Sequence, residues 1–249
     1  MTIGLRELAE TRGDEWSLDD EFGRLTWAEE NERTNRLVHG LRGLGLGAHS
    51  CLAILGGNRR EWVEAANAAS RASLVFVPIN WHFSTDEVAY VVQNSGATAI
   101  LADAEYGATA QAAAERAGVE VRIAYGGTID GFIDYDELLA SASPDEPVDQ
   151  GAGRPMFYTS GTTGRPKGVV PANDIVGLDP HEITQRQRSI IDALAIPTTD
   201  GISYTGAPLY HAGPFGFGYR LHSLGSRLIT RRKWDAEQLL QLIERDRIR

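Results

Sequence analysis

Apolar and polar residues follow two different periods along this chain, and the change from one period to the other predicts helices and strands in turn. Behind the capping-box sequence TWAE at 26–29, apolar residues recur at helical spacing as far as Leu44, and glycines follow. The short apolar runs CLAIL at 51–55 and SLVFVPIN at 73–80 lack that spacing, as buried strands do. A further capping box, STDE, begins at Ser84 and predicts another helix.

The same alternation continues to the end of the chain. A helix is predicted to begin near Asn58, because Asn58 and Glu61 have the spacing of a capped start. Later strands are predicted at 98–102, at 119–125, just before Tyr158, at 202–207 and at 226–230, and later helices up to 117, at 181–194, at 215–224 and from about 235. Strands that alternate with helices predict an α/β fold of mostly parallel sheets flanked by helices.

The segment 141–155 is the clearest candidate for a linker between domains. Its sequence, SASPDEPVDQGAGRP, holds three prolines and several acids but no apolar period. We therefore predict an N-terminal α/β subdomain at 1–140, a linker at 141–155, and the start of a second α/β subdomain at 156–249.

Composition limits the classes of function. The 249 residues are 42% hydrophobic, which suffices for a sizeable core, and the net charge of −10 without a basic run argues against nucleic acid as a partner. The single cysteine, Cys51, excludes an intrachain disulfide and lies in an apolar run, which predicts a buried, inert thiol. We find neither an apolar stretch long enough for a membrane span nor a signal-peptide core, so we expect a cytoplasmic protein, with peripheral membrane contact left open.

The run YTSGTTGRPKG at 158–168 carries the most distinctive chemistry. It combines four hydroxyl side chains, three glycines and one lysine, Lys167. Glycines let the backbone approach a ligand closely, hydroxyls and N–H groups donate to anionic oxygens, and a lysine supplies a point charge. The run therefore has the composition of a phosphate-binding loop, in which Lys167, backbone N–H groups and a metal ion would attract a polyanion such as ATP locally.

This run differs from the Walker A loop. Pro166 precedes its lysine and Gly168 follows it, whereas a Walker A lysine is followed by the Ser or Thr that binds magnesium. The alternative interpretation is an ordinary surface turn rich in Gly, Thr and Pro. Few such turns place a hydroxyl cluster, spaced glycines and a single lysine between apolar flanks.

The six histidines do not have the spacing of metal ligands. His211 differs from the others because it lies in the apolar, glycine-rich segment APLYHAGPFGFG, directly after a predicted strand. A histidine at the carboxyl end of a strand is a candidate for a functional site, and the alternative is a core or turn histidine.

YTSGTTGRPKG resembles, residue for residue, the signature loop of the adenylate-forming (AMP-binding) superfamily. The segments 58–101, 207–216 (APLYHAGPFG) and 233–248 (KWDAEQLLQLIERDRI) also resemble regions of that superfamily, in the expected order. The sequence PLYH at 208–211 is similar to the acyl-CoA synthetase branch, since peptide-synthetase adenylation domains usually have Phe-Asp there. The resemblance implies the N-terminal α/β part of an adenylate-forming enzyme acting on a fatty or other hydrophobic carboxylic acid.

The resemblance also implies the ligands and the site residues. ATP, Mg²⁺ and coenzyme A are expected, with an acyl-adenylate as intermediate. Thr159 corresponds to a hydroxyl associated with the magnesium ion, and His211 to a residue that orients the acyl carboxylate or gates the thioester channel. The β- and γ-phosphates would be held by Ser160, Gly161, Thr162, Thr163, Gly164 and Lys167, which together with Thr159 form the cofactor-binding set.

Members of the superfamily are roughly twice as long as this chain. The resemblance therefore implies that a second magnesium ligand, the ribose-binding aspartate and the adenylation lysine lie in a part that this sequence lacks. We expect weak activity or none from the chain alone, and association with a missing C-terminal half or with itself is open. The alternative, from another class of function, is a non-catalytic interaction module derived from a synthetase.

Overall fold

A computed structural model describes residues 4–159, 165–170, 174–196 and 201–248. The chain divides into two compact units. The first unit comprises Met1–Glu32, Asn58–Val63 and Pro180–Arg249, and the second comprises Arg33–Gly57 and Glu64–Asp179.

Helices and strands alternate along most of the described chain. The helices are α1 Leu5–Arg12, α2 Trp27–Gly43, α3 Arg60–Arg71, α4 Thr85–Ser95, α5 Gly107–Ala117, α6 Tyr135–Ser141, α7 Pro180–Ala193, α8 Ala212–Pro214, α9 Arg220–Ser223 and α10 Ala236–Asp246. The strands are β1 Trp16–Asp20, β2 Gly23–Thr26, β3 Cys51–Leu55, β4 Val75–Ile79, β5 Ala99–Asp103, β6 Val121–Tyr125, β7 Ile133–Asp134, β8 Arg154–Pro155, β9 Phe157–Thr159, β10 Lys167–Val169, β11 Ile202–Thr205 and β12 Arg227–Thr230. The predicted strand at 51–55 is confirmed at both ends, and the other predicted elements are present with ends shifted by a few residues.

A six-stranded parallel sheet forms the centre of the second unit. Its strand order is β7-β6-β5-β3-β4-β8, and each neighbouring pair is parallel. All five residues of β3, β4 and β5 are buried, as expected where helices cover both faces of a sheet. The predicted α/β class is therefore confirmed, and the continuous apolar runs of the sequence correspond to the central strands.

The helix α4 of the second unit begins and ends at the residues that the sequence marks. The Ser84 side chain accepts a hydrogen bond from the Glu87 backbone N–H, and the Glu87 carboxylate accepts one from the Ser84 N–H, which completes the predicted capping box of α4. Gly96, with φ of 71°, ends this helix in the left-handed conformation that glycine adopts at low cost.

The first unit contains a smaller, mixed sheet with the order β11-β12-β1-β2. The strand β1 pairs with β2 in antiparallel fashion and with β12 in parallel fashion. Strands near the two ends of the chain thus share one sheet. The predicted domain boundary at 141–155 stays a prediction, and residues 151–154, at the end of that segment, are buried in the second unit.

One predicted helix start is wrong in its detail. The helix α3 begins at Arg60, and the Asp20 carboxylate, rather than Asn58, accepts a hydrogen bond from the Arg60 N–H. The Asn58 side chain bonds elsewhere, as described below. Among the helices of the described ranges, none is both long enough and apolar enough to cross a membrane.

Candidate functional site

The two ends of the candidate phosphate loop are held by a β-hairpin. In the antiparallel pair of β9 and β10, Lys167 lies opposite Thr159 and Gly168 lies opposite Tyr158. The hairpin follows the edge strand β8, and the Met156 N–H donates to the Phe76 carbonyl of β4 at 2.8 Å. The ladder therefore places a threonine and a lysine residue opposite one another at the two ends of the loop.

Thr159 and Lys167 are exposed to solvent, whereas Pro166, directly before Lys167, is buried. An exposed cation opposite an exposed hydroxyl fits an anionic, oxygen-rich ligand such as a phosphate chain. The predicted phosphate-binding residues Ser160, Gly161, Thr162, Thr163 and Gly164 lie outside the described residues, and their roles stay predictions.

Gly168 packs against an aromatic ring. A Cβ atom added at Gly168 would lie 3.1 Å from Cζ of Tyr158 and 3.3 Å from Sδ of Met156. Glycine at this position lets the strand β10 lie flat on the Tyr158 side chain. The close approach of Gly168 to the Tyr158 ring thus contributes to packing within the hairpin.

His211 lies in the first unit, at the start of α8, and its residue is exposed. Its ring centroid is 4.3 Å from that of Tyr210, with an interplanar angle of 48°. The His211 N–H donates to the Pro208 carbonyl at 3.1 Å, and its own carbonyl accepts from the Phe215 N–H at 3.1 Å. The backbone is therefore fixed on both sides of an imidazole that solvent can reach.

A π-helical turn, Phe215–Tyr219, continues from α8 and leads into α9. The rings of Phe215 and Tyr219 stack at 4.5 Å, and Trp62 meets Phe215 edge-on at 6.0 Å. Turns of this kind are rare in proteins and are frequent at functional sites. The aromatic contacts give the segment that carries His211 a packed base.

Asn58 is a positioning residue that the sequence did not reveal. Its Nδ2 donates to the carbonyl of Ala207 at 2.9 Å, and its Oδ1 accepts from the N–H of Leu209 at 2.8 Å. A weaker bond, 3.3 Å long, links Nδ2 to the carbonyl of Arg231. The side chain thus holds the backbone just ahead of His211. The spacing from Asn58 to Glu61 suggested a helix cap, and nothing local to the sequence indicated this distant partner.

Two other predictions concern cysteine and metal chemistry. Burial raises the pKa of Cys51 to about 11, which agrees with the predicted buried, inert thiol. Within the described ranges, no three His, Cys, Asp or Glu side chains form a group able to hold a metal ion. The assignment of Thr159 to magnesium stays a prediction.

The protein-family model of the AMP-binding enzymes matches residues 5–249. The chain belongs to the AMP-binding enzyme family. The resemblance in the loop and in the segments around it is therefore confirmed as membership.

The curated relatives include an acyl-carrier-protein ligase, a CoA synthase and a CoA ligase. The chain is 28% identical, over 88% of its length and 41% of the relative's, to a fatty acid–[acyl-carrier-protein] ligase of Streptomyces coeruleorubidus. It is 30% identical to a feruloyl-CoA synthase of an Amycolatopsis species, over 90% of this chain and 42% of the relative. A long-chain-fatty-acid–CoA ligase of Mycobacterium tuberculosis is 29% identical, over 90% and 43%. The chain thus spans about two fifths of the length of these relatives.

Solved structures share the fold of this chain. The inhibitor-bound N-terminal domain of FACL13 from Mycobacterium tuberculosis superposes with a TM-score of 0.78 at 25% identity, over 98% of this chain and 60% of that one. The o-succinylbenzoate coenzyme A synthetase of Bacillus subtilis, in complex with AMP, gives a TM-score of 0.73 at 24% identity, over 98% and 59%.

Proposed function

We propose that this chain carries the phosphate-holding part of an acid–thiol ligase, which joins a hydrophobic carboxylic acid to coenzyme A at the expense of ATP. The pairing of Thr159 with Lys167 across the hairpin is the observation that carries the proposal. Family membership and the named substrates of the relatives, which are fatty acids and ferulic acid, support the substrate class.

The proposed reaction has two halves. A carboxylate oxygen attacks the α-phosphorus of ATP, which forms the acyl-adenylate and releases pyrophosphate. The thiol of coenzyme A then attacks the acyl carbon and releases AMP. Negative charge accumulates on the leaving pyrophosphate in the first half, so donors and cations fixed around the β- and γ-phosphates stabilise that transition state.

The residues of this chain take specific parts in that scheme. Lys167 would contact the terminal phosphates with its ammonium group, beside the hydroxyls and backbone N–H groups of the loop. Thr159 would hold Mg²⁺, which supplies further positive charge when bound. His211, exposed on a fixed backbone, would orient the acyl carboxylate or gate the approach of the thiol.

Binding of ATP tests the proposal more directly than turnover, because the chain spans about two fifths of its relatives. Calorimetric titration should show magnesium-dependent binding that Lys167→Ala weakens by about tenfold or more, as the loss of one charge-assisted contact predicts. The chain contains one other lysine, the exposed Lys233, so Lys233→Ala is a matched control that should leave the affinity unchanged.

The same two lysines allow a second measurement. Mg·ATP should protect Lys167 from an amine-reactive reagent and leave the labelling of Lys233 unchanged. Release of pyrophosphate should then be measured with long-chain fatty acids and ferulate. Absence of magnesium-dependent ATP binding, together with no effect of Lys167→Ala, would favour the non-catalytic interaction module.

Cytoplasmic location also stays a proposal, supported by the single buried cysteine.

A further inference from the structure

One arm of the phosphate-loop hairpin contacts the helix α4. Tyr158, which precedes Thr159 on β9, donates its phenolic hydrogen to Oδ1 of Asn94 at 2.8 Å. Burial, together with the nearby Tyr90, raises the pKa of Tyr158 to about 12. The hydroxyl therefore keeps its proton, and with it the hydrogen bond, through the whole neutral range of pH.

The other arm contacts the same helix by a different interaction. Arg165 stands two residues ahead of Lys167, and its guanidinium carbon lies 5.2 Å from the ring centroid of Tyr90. A cation within about 6 Å of an aromatic face is attracted by the ring quadrupole. The exposed Arg165 side chain thus has a defined partner at the point where the chain returns from the loop.

Tyr90 and Asn94 are four residues apart, so they lie one above the other on the same face of α4. The helix is itself fixed by its capping box at Ser84 and by the buried side chains Val88, Val91 and Val92. It is therefore a rigid support, on which two neighbouring side chains meet the two arms of one hairpin.

We propose that Tyr90 and Asn94 are positioning residues for the phosphate loop, and that α4 sets the separation and direction of the two arms before nucleotide binds. The inference rests on the proposed function of the loop. We call the contacts of Tyr158 with Asn94 and of Arg165 with Tyr90 the brace. Arms that are already fixed lose less conformational entropy when nucleotide binds, so the brace raises affinity for ATP. Neither residue needs to touch the nucleotide.

The brace can be measured without nucleotide, because a lysine-specific endopeptidase has two possible cleavage sites in this chain, after Lys167 and after Lys233. Cleavage after Lys167 requires local opening of β10, whereas cleavage after Lys233 reports on a remote segment. Asn94→Ala and Tyr90→Leu should speed cleavage after Lys167 by about twofold to tenfold, as expected for the loss of a hydrogen bond or a cation–π contact. The rate at Lys233 should not change.

Conservative variants separate positioning from a general loss of structure. Asn94→Asp keeps an acceptor for Tyr158, and Tyr90→Phe keeps an aromatic face for Arg165, so both should cleave at the wild-type rate. Arg165→Gln removes the same cation–π contact by changing an exposed side chain. Its cleavage rate after Lys167 should equal that of Tyr90→Leu, even if Tyr90→Leu also lowers the melting temperature. The Kd for Mg·ATP should rise by the same factor in each disruptive variant.

The outcomes separate this inference from the proposed function. Faster cleavage after Lys167, in a protein whose wild type binds no ATP, supports the brace and refutes the proposed function. Unchanged cleavage in Asn94→Ala and Arg165→Gln overturns the brace, whatever the affinity for ATP. Equal effects of Asn94→Ala and Asn94→Asp would overturn it as well, because they would show that the hydrogen bond is not responsible.

Discussion

The side chain of Asn58 replaces a missing backbone partner for Leu209, since its Oδ1 accepts the Leu209 N–H at 2.8 Å. Its amide nitrogen donates to the Ala207 carbonyl at 2.9 Å, so one side chain binds the peptide on both sides of Pro208. Asn58 is buried, and water cannot replace these bonds readily. One amide group therefore holds the segment before His211 at two points.

We predict that Asn58→Ala lowers the free energy of unfolding by about 1–3 kcal/mol, because it leaves the N–H of the buried Leu209 without its partner, whereas the Ala207 carbonyl still accepts from the Thr205 hydroxyl. Asn58→Asp keeps the acceptor for Leu209 but loses the donor to Ala207, so an intermediate loss is expected. Urea denaturation followed by circular dichroism measures both. Equal stabilities of the wild type and Asn58→Ala would show that the side chain does not hold this segment.

Gly168 provides a second prediction. A Cβ at this position would lie 3.1 Å from the Tyr158 ring, and that ring is tied by its hydroxyl to Asn94. Because the ring cannot move aside freely, Gly168→Ala should cost about 1–3 kcal/mol of stability and weaken the binding of Mg·ATP.

The matched control for this substitution is Gly43→Ala. A Cβ at Gly43, the last residue of α2, would meet nothing within 4 Å, and the added methyl group favours a helix. Thermal unfolding should therefore show a small gain, or no change, for Gly43→Ala and a loss for Gly168→Ala. A loss of similar size in both variants would mean that the Tyr158 ring does not set the cost.

The central strands and their helices were predictable because the information that forms them is local. Cys51–Leu55 is apolar at every position and is buried at every position, and the Ser84 capping box forms within four residues. The pairing of β1 with β12, by contrast, joins Leu18 to Leu228. No short-range pattern encodes a pair so far apart, and the mixed sheet of the first unit was therefore not predicted.

In the candidate site, the chemistry was predictable from the sequence and the positioning residues were not. The chemistry of Thr159 and Lys167 could be recognised from residue types, since phosphate binding needs hydroxyls, glycines and a cation close together in sequence. The residues that position the site could not, because Asn58 and Asn94 act on segments far along the chain. A polar side chain in sequence has many possible partners, and only the fold selects one.

A buried ion pair in the first unit predicts how stability depends on pH. The Nε2 atom of His222 lies 2.8 Å from Oε1 of Glu30, its Nδ1 lies 3.0 Å from the Ser226 carbonyl oxygen, and its ring stacks on Trp27 at 4.9 Å. Burial alone would lower the pKa of His222, but the Glu30 carboxylate and both hydrogen bonds raise it above its ordinary value.

A group whose pKa is higher in the folded state than in the unfolded state stabilises the fold. That stabilisation is complete below the unfolded pKa of His, about 6.5, and it is lost as the pH rises through the folded pKa. The free energy of unfolding should therefore fall between pH about 6 and the raised pKa of His222. His222→Gln should remove this dependence, and the exposed His82→Gln should retain it. Denaturant titrations at several pH values measure it, and a pH dependence that survives in His222→Gln would contradict the assignment.

Gly153 shows that the end of the segment 141–155 is closely packed. A Cβ atom at this glycine would lie 2.3 Å from the carbonyl oxygen of Ala69 and 2.5 Å from that of Leu74. Its N–H donates to the carbonyl of Ser70 at 2.7 Å. Backbone atoms surround the position on several sides, so a side chain cannot be accommodated by a change of rotamer.

Gly153→Ala should therefore lower the free energy of unfolding by about 3 kcal/mol, at the upper end of the usual cost of overpacking. Gly47→Ala is the control, because a Cβ at Gly47 would meet nothing within 4 Å, and its stability should remain near that of the wild type. Chemical denaturation of the two variants side by side measures the difference. Equal stabilities would mean that the strand β8 can shift away from the end of α3, and that the contacts of Gly153 do not fix its position on the sheet edge.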